Sequence, residues 1–183
     1  MIILGIIGEM AAGKTTATDY IASKFQAATY RFSDIMRDLL RRLYLTESRD
    51  NLIQISIVLR QEFGNDLFAK AMAEDIKKDT ANAYIVAEGV RRSDDITYLK
   101  KISGFHLIAI TADMKTRYER LSVRSENSDD KLKSYEDFVK DHERETEKSI
   151  IPLLAEAEYT IDNNGSIEEL YASIDALLAK LSN

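Results

Sequence analysis

Apolar and β-branched residues gather in five short runs, at about residues 2 to 7, 28 to 32, 84 to 88, 105 to 110 and 158 to 161. Runs of this length with polar flanks predict strands of a buried sheet. Between them apolar positions recur at helical spacing. They predict helices at about 14 to 25, 33 to 44, 50 to 80 with a break near Gly64, 94 to 102, 114 to 124, 134 to 155 and 167 to 181. Ser33-Asp34 and Ser93-Asp94 stand where helix starts are expected, and Ser166-Ile167-Glu168-Glu169 has the spacing of a capping box. The sole proline, Pro152, should kink or end its helix around Ile151. Strands alternating with helices imply an α/β fold in which both faces of a parallel sheet are covered.

In such a sheet, ligands bind beyond the carboxyl ends of the strands. The residues there are Gly8 to Thr15, Ser33-Asp34, Glu88 to Arg92, Thr111 to Asp113 and Asn163-Asn164-Gly165. The first group is the most specific. Ile2 to Ile7 runs into Gly8-Glu9-Met10-Ala11-Ala12-Gly13-Lys14-Thr15 and then into a helical pattern, which is GxxxxGKT in the strand-loop-helix setting of a phosphate-binding loop. Loop N–H groups from Gly8 to Gly13, Ala11 and Ala12 among them, would curl around a β-phosphate. Lys14 would reach the β- and γ-oxygens, the Thr15 hydroxyl would ligate Mg²⁺, and Thr16 would follow on the helix start. Chance supplies this motif in roughly one chain in a hundred of this length, so ATP with Mg²⁺ is the expected cofactor pair. The loop interior, Glu9 to Ala12, has no glycine, and an alanine must therefore accept whatever φ the loop demands.

Composition narrows the partners. The 183 residues suit one domain over 1–183, and the lack of cysteine fits a reducing cytoplasm. The opening apolar run is too short for a membrane span and has no basic flank, so neither a leader nor a membrane association is expected. A net charge of −6 argues against a broad nucleic-acid surface. Local charge differs: Arg31, Arg37, Arg91, Arg92, Arg117, Arg120, Arg124 and Arg144 lie at or near predicted strand ends or in one polar segment, where a phosphate-rich ligand could gather their planar forks. Arg117, Arg120 and Arg124 fall at i, i+3 and i+7, one helix face leading into Ser125 to Ser134, a polar stretch that reads as a lid. His106 and His142 are isolated, so no structural zinc site is expected.

Several segments resemble known small kinases. Ser33-Asp34-Ile35-Met36-Arg37 resembles the acceptor-side motif of adenylate kinase and other nucleoside monophosphate kinases. The run Tyr84 to Asp95 looks like the strand-Asp-Gly-x-Arg pattern of that superfamily with Glu88 in place of Asp, and its Arg91-Arg92 also resembles animal-type phosphomevalonate kinases. Leu59 to Asp66, Glu88 to Arg91, Glu143-Arg144-Glu145 and Ala157 to Asn163 resemble archaeal and bacterial proteins labelled dephospho-coenzyme A kinase-like or adenylate-kinase-related.

The resemblance implies a three-layer P-loop NTPase fold with five parallel strands in the order 2-3-1-4-5. It also implies an acceptor-binding insertion at about 33–80 and a lid at about 117–145. By the same resemblance Lys14, Arg124 and Arg144 neutralise transition-state charge, Thr15 and Glu88 organise Mg²⁺, and Arg117, Arg120, Asn163 and Gly165 border the donor nucleotide. Ser33, Asp34, Arg37, Arg60, Gly89, Arg91 and Arg92 then hold a small phosphorylated acceptor. Asp34 also stands where dephospho-coenzyme A kinases carry a base, which keeps transfer to a hydroxyl open. A nucleotide-dependent switch without an acceptor is a further alternative.

Overall fold

The structure, a computed structural model, describes residues 1–123, 134–142 and 150–182. Its strands are β1 (Ile2–Ile7), β2 (Ala28–Arg31), β3 (Tyr84–Glu88), β4 (Phe105–Thr111) and β5 (Tyr159–Asp162). They form one five-stranded sheet in the order β2-β3-β1-β4-β5, with parallel pairing throughout. This is the order of the P-loop NTPase fold, as the resemblance implied.

Helices pack on both faces because the central strands are apolar on both. On β1, Ile3 and Ile7 enter one core while Leu4 and Ile6 enter the other. Beneath the first face lie α2 (Phe32–Arg42), α4 (Leu67–Lys78), the short α5 (Ser93–Ile96), a 3₁₀ turn (Leu99–Lys101) and α8 (Ile150–Ala155). Phe68, Met72, Ile76, Leu99 and Leu153 supply its buried side chains. The second face is covered by α1 (Lys14–Phe25) and α9 (Ile167–Leu181), through Ala17, Ile21, Leu170, Ile174 and Leu178. Tyr20 of α1 stacks on Tyr171 of α9 with ring centroids 3.8 Å apart, and its hydroxyl donates to Asp175. Helix α3 (Arg49–Phe63) lies outside these layers, and α6 (Met114–Val123) and α7 (Tyr135–His142) lie on either side of residues 124–133.

Three local expectations shift. Ser33 is not an N-cap: α2 starts at Phe32 with Arg31 as its extended N-cap, because β2 feeds straight into the helix. Likewise Ser93 is the first residue of α5, with Arg92 before it. The helix around Pro152 does not end at Ile151 but continues to Ala155, since proline forfeits only its own N–H and constrains the turn before it. The capping box at Ser166 forms as read, with Ser166 N–H donating to Glu169 at 2.8 Å and Glu169 N–H to the Ser166 hydroxyl at 3.2 Å. The break near Gly64 is real and separates α3 from α4.

Candidate functional site

Parallel register brings the carboxyl ends of all five strands to one edge. Arg31 pairs with Glu88, Ile7 with Ala109 and Thr111 with Asp162. The loops that leave this edge, and the helices α1, α2 and α6 that follow them, carry most of the residues singled out above.

The phosphate-binding loop spans Gly8 to Gly13 between β1 and α1. Gly8 has φ 154° and Gly13 φ 104°, and both are closely approached. A Cβ on Gly8 would lie 2.3 Å from the Ile110 carbonyl oxygen, and one on Gly13 would lie 2.2 Å from the Asn163 amide nitrogen. Only glycine fits either position. The conformational demand on the loop interior falls on Ala11, at φ 59°. A left-handed alanine is strained by roughly 1 kcal/mol, and glycine there would relieve the strain while losing a similar amount to unfolded-chain entropy. Ala11→Gly should therefore leave stability within about 1 kcal/mol of the parent, and Ala11→Val, β-branched at positive φ, should cost about 2 kcal/mol or more. Urea titration of the three proteins checks this order; a valine variant as stable as the parent would refute it.

Lys14 opens α1 and folds its ammonium over the loop, donating to the carbonyls of Gly8 and Glu9 at 2.7 Å each. Thr15 is exposed at the helix start, and Thr16 follows it half-buried. Ala12 is buried, and its carbonyl accepts from the Asn163 side chain at 2.8 Å. Asn163 itself is buried, and its backbone N–H donates to Thr111 at 2.8 Å. The residue thus ties the end of β5 to β4 and to the loop from below. Next to it, Asn164 accepts the Asp113 N–H at 2.8 Å, and the Gly165 carbonyl accepts from Arg120 at 3.5 Å.

Arg117 and Arg120 share α6 but not an environment. Arg117 is 2% exposed. Its guanidinium donates to Ala112, Met10 and the Glu9 carboxylate, and lies 5.7 Å from the Phe138 ring centre. Arg120 is half-buried, with Nη1 shielded from solvent and unmatched by a hydrogen bond among the described residues. Arg124, Arg144 and Ser125 to Lys133 of the expected lid lie outside the described residues.

At the β2–β3 end of the edge, Glu88 pairs with neither of its sequence neighbours Arg91 and Arg92 among the described residues. It takes Arg31 from the adjacent strand, with Nε to Oε2 at 2.5 Å and Nη2 to Oε1 at 3.4 Å. Hydrogen bonding by Glu88 raises the Arg31 guanidinium above its ordinary pKa. The Thr15 hydroxyl, exposed at the start of α1, could ligate Mg²⁺, whereas Glu88 could accept from a metal-bound water only with the carboxylate capacity that Arg31 leaves it. Ser33 is half-buried in the first turn of α2, and Asp34 beside it is exposed, its carboxylate making no hydrogen bond among the described residues. Arg37, one turn on, sits 3.8 Å from Glu47.

Asp95 organises the loop after β3. It is 3% exposed and accepts the backbone N–H groups of Arg91 and Arg92 at 2.9 and 3.1 Å. Its other oxygen faces Arg60 at 3.5 Å. Arg60 also donates to the Asn65 carbonyl and lies 5.0 Å from the Phe68 ring centre, so its guanidinium serves the loop's scaffold. Gly89, Arg91 and Arg92 remain exposed on the loop so held. Among the described residues no group of three or more His, Cys, Asp or Glu could hold a metal.

Glu9 and Asp95 are the site residues that the sequence did not single out, and Arg31, grouped there with the arginines open to a phosphate-rich ligand, is instead engaged by Glu88. A carboxylate inside an anion-binding loop demands a counter-charge, which was a usable signal for Glu9. The Arg31–Glu88 contact needed the strand register, and the burial of Asp95 against Arg60 needed the packing of α3 beside the loop after β3.

The sheet order and the loop between β1 and α1 define a P-loop NTPase with a kinase-like fold. The chain belongs to the UPF0200 family, and its residues 7–138 match the AAA domain family. It is 32% identical to UPF0200 protein MJ1399 of Methanocaldococcus jannaschii, across 100% of this chain and 92% of that protein. A UPF0200 protein of Staphylothermus marinus is 31% identical, across 99% of this chain and 93% of its own length. Among solved structures, shikimate kinase from Bacteroides thetaiotaomicron superposes with a TM-score of 0.63 at 15% identity, covering 100% of this chain and 99% of that one. Shikimate kinase from Aquifex aeolicus gives 0.55 at 15%, covering 99% and 98%. At such identities the likeness is one of fold. Among the described residues no helix is long and apolar enough to cross a membrane.

Proposed function

We propose that this protein is an ATP-dependent small-molecule kinase that moves the γ-phosphoryl of Mg-ATP to a phosphate-bearing acceptor, above all a (deoxy)nucleoside monophosphate. The observation that carries this reading is a shared edge. The P-loop, the first turns of α2 with Ser33 to Arg37, and the loop from Glu88 to Arg92 leave the same end of the sheet, so donor and acceptor phosphates would meet over it. Bound Mg²⁺ would neutralise donor phosphate charge. Lys14 would hold the β- and γ-phosphates, Thr15 would ligate the metal, and Thr16, Arg120 and Gly165 would border the nucleotide. Arg37, Arg91 and Arg92, with Ser33 and Gly89, would bind the acceptor phosphate, and Arg60 would act through Asp95. Arg124 and Arg144 would add charge from the lid. Phosphoryl transfer is mostly positioning and charge neutralisation, which suits a site rich in arginine.

A phosphate acceptor has a second pKa near 6 and needs no base, whereas a hydroxyl generally does. The exposed carboxylate of Asp34, without a side-chain hydrogen bond among the described residues, favours the second reading, transfer to a hydroxyl as in dephospho-coenzyme A kinases. Asp34→Asn separates them. A loss of turnover under tenfold is expected for a phosphate acceptor, and a loss of several hundredfold with intact folding would establish the hydroxyl reading. The acceptor itself is found by coupled ADP release over ribo- and deoxynucleoside monophosphates, dephospho-coenzyme A and phosphomevalonate, with Lys14→Ala as control. Hydrolysis that no acceptor diverts would sink the kinase reading and leave a switch ATPase.

A further inference from the structure

Arg31 and Glu88 are register partners at the carboxyl ends of β2 and β3. Both carboxylate oxygens face the guanidinium, Oε2 from Nε at 2.5 Å and Oε1 from Nη2 at 3.4 Å, so Glu88 grips one edge of the fork. The Glu88 side chain is 17% exposed and that of Arg31 47%, so the pair reaches from the sheet edge toward solvent. An ion pair this open adds little to stability. What it does is aim the arginine. Of the five N–H donors of a guanidinium two are committed to Glu88, and the other three, both on Nη1 and one on Nη2, meet no acceptor among the described residues. A planar fork clamped along one edge presents its remaining donors in a fixed direction at small entropic cost. Charge decides what those donors take. The hydrogen bond from Glu88 does most to hold Arg31 above its ordinary pKa, and the nearby carboxylates of Asp34 and Asp19 add to it. A cation already answered by three carboxylates has little attraction left for a phosphate, whereas a carbonyl or hydroxyl oxygen needs only a well-aimed donor.

We propose that Arg31 is a specificity-determining residue that donates to an uncharged oxygen on the base or sugar of the acceptor, and that Glu88 is a positioning residue that acts through it. β2 stands two places from β1 in the sheet, about 10 Å from the P-loop strand, a gap that a nucleoside monophosphate spans when its phosphate lies beside the donor. The proposal rests on the kinase reading above. It departs from the expectations that Arg31 gathers phosphate and that Glu88 serves chiefly the metal.

The experiment measures kcat and KM over a panel of ribo- and deoxynucleoside monophosphates for the parent, Arg31→Met, Glu88→Gln and the double variant, with a melting temperature for each. Arg31→Met is expected to raise KM for the best acceptor about tenfold or more while the poorer acceptors change by less than about threefold, so the preference collapses with kcat nearly kept. Preference lost between bases assigns the oxygen to the base, and preference lost between ribo and deoxy forms assigns it to the sugar. Glu88→Gln should lose part of the same preference. The double variant should lie within about threefold of Arg31→Met, because Glu88 would be acting through an arginine that is gone. A purely structural role would lower the melting temperature and weaken every acceptor alike. Uniform loss across the panel, a parent that takes all acceptors equally, or a Glu88→Gln defect that adds in full to that of Arg31→Met overturns the proposal. Should Arg31→Met fail to fold, Arg31→Lys decides by the same preference, since it keeps the charge without the planar fork. A parent that releases no ADP in response to any acceptor overturns instead the kinase reading on which the proposal stands.

Discussion

Lys14→Ala is expected to lower kcat/KM for phosphoryl transfer by about a thousandfold, the scale on which a preorganised charge at the transferring phosphoryl acts. Lys14 is the first residue of α1, and its ammonium is held by the Gly8 and Glu9 carbonyls at 2.7 Å each. A phosphate arriving at the loop would compete for that ammonium from a position already beside it, so little reorganisation is needed. Alanine is a good helix former, and the two lost hydrogen bonds are worth about 1–3 kcal/mol together. Activity should therefore collapse while the melting temperature falls by only several degrees. Lys14→Arg should remain at least about tenfold below the parent, because a planar guanidinium does not replace a compact ammonium in a tight loop. Steady-state kinetics on the best acceptor, with melting curves alongside, measure both. Activity of Lys14→Ala near that of the parent would remove the P-loop from the chemistry and the kinase reading with it.

The strands were legible because each is a short apolar or β-branched run with polar flanks, as a strand buried on both faces must be: Ile3 and Ile7 of β1 enter one core, Leu4 and Ile6 the other. Their order in the sheet was not. It came with the resemblance, since periodicity says which residues are buried and not which strands are neighbours. The P-loop was legible down to the burden on its alanines, and Ala11 carries the positive φ. Ser33 misled because a hydroxyl before a helical pattern caps only when its own backbone is extended. Here Arg31 is the extended residue, and Phe32 has already entered the helix. Arg117 illustrates the deeper limit. Helical spacing put it in line with Arg120, yet Arg117 is buried against Glu9 while Arg120 stays half-buried over Gly165. Which side of a helix faces inward depends on elements a hundred residues away, and the spacing of α6 does not encode it. Asp95 was hidden for the same reason. Within the acidic run Asp94-Asp95 the two look alike, and only the fold buries the second.

That burial sets the other large effect. Asp95→Ala would leave the Arg91 and Arg92 N–H groups without their acceptor and Arg60 without its counter-charge in one step. Breaking a buried charged hydrogen-bond network by removing one partner costs about 3–5 kcal/mol, a large share of a small domain's stability. The backbone of residues 91 and 92 would lose its anchor, and the arginines proposed for the acceptor phosphate would lose their common origin. The consequence should be lopsided. KM for the acceptor is expected to rise tenfold or more while the affinity for ADP, measured by calorimetry, stays within about threefold, because the P-loop takes no contact from Asp95 among the described residues. Asp95→Asn should be milder in stability, since one amide oxygen can still accept both backbone N–H groups that now share a single carboxylate oxygen, but its uncharged amide cannot balance Arg60. Equal losses on the donor and acceptor sides would mean that Asp95 supports the whole sheet edge, and would detach the Glu88 to Arg92 loop from acceptor binding.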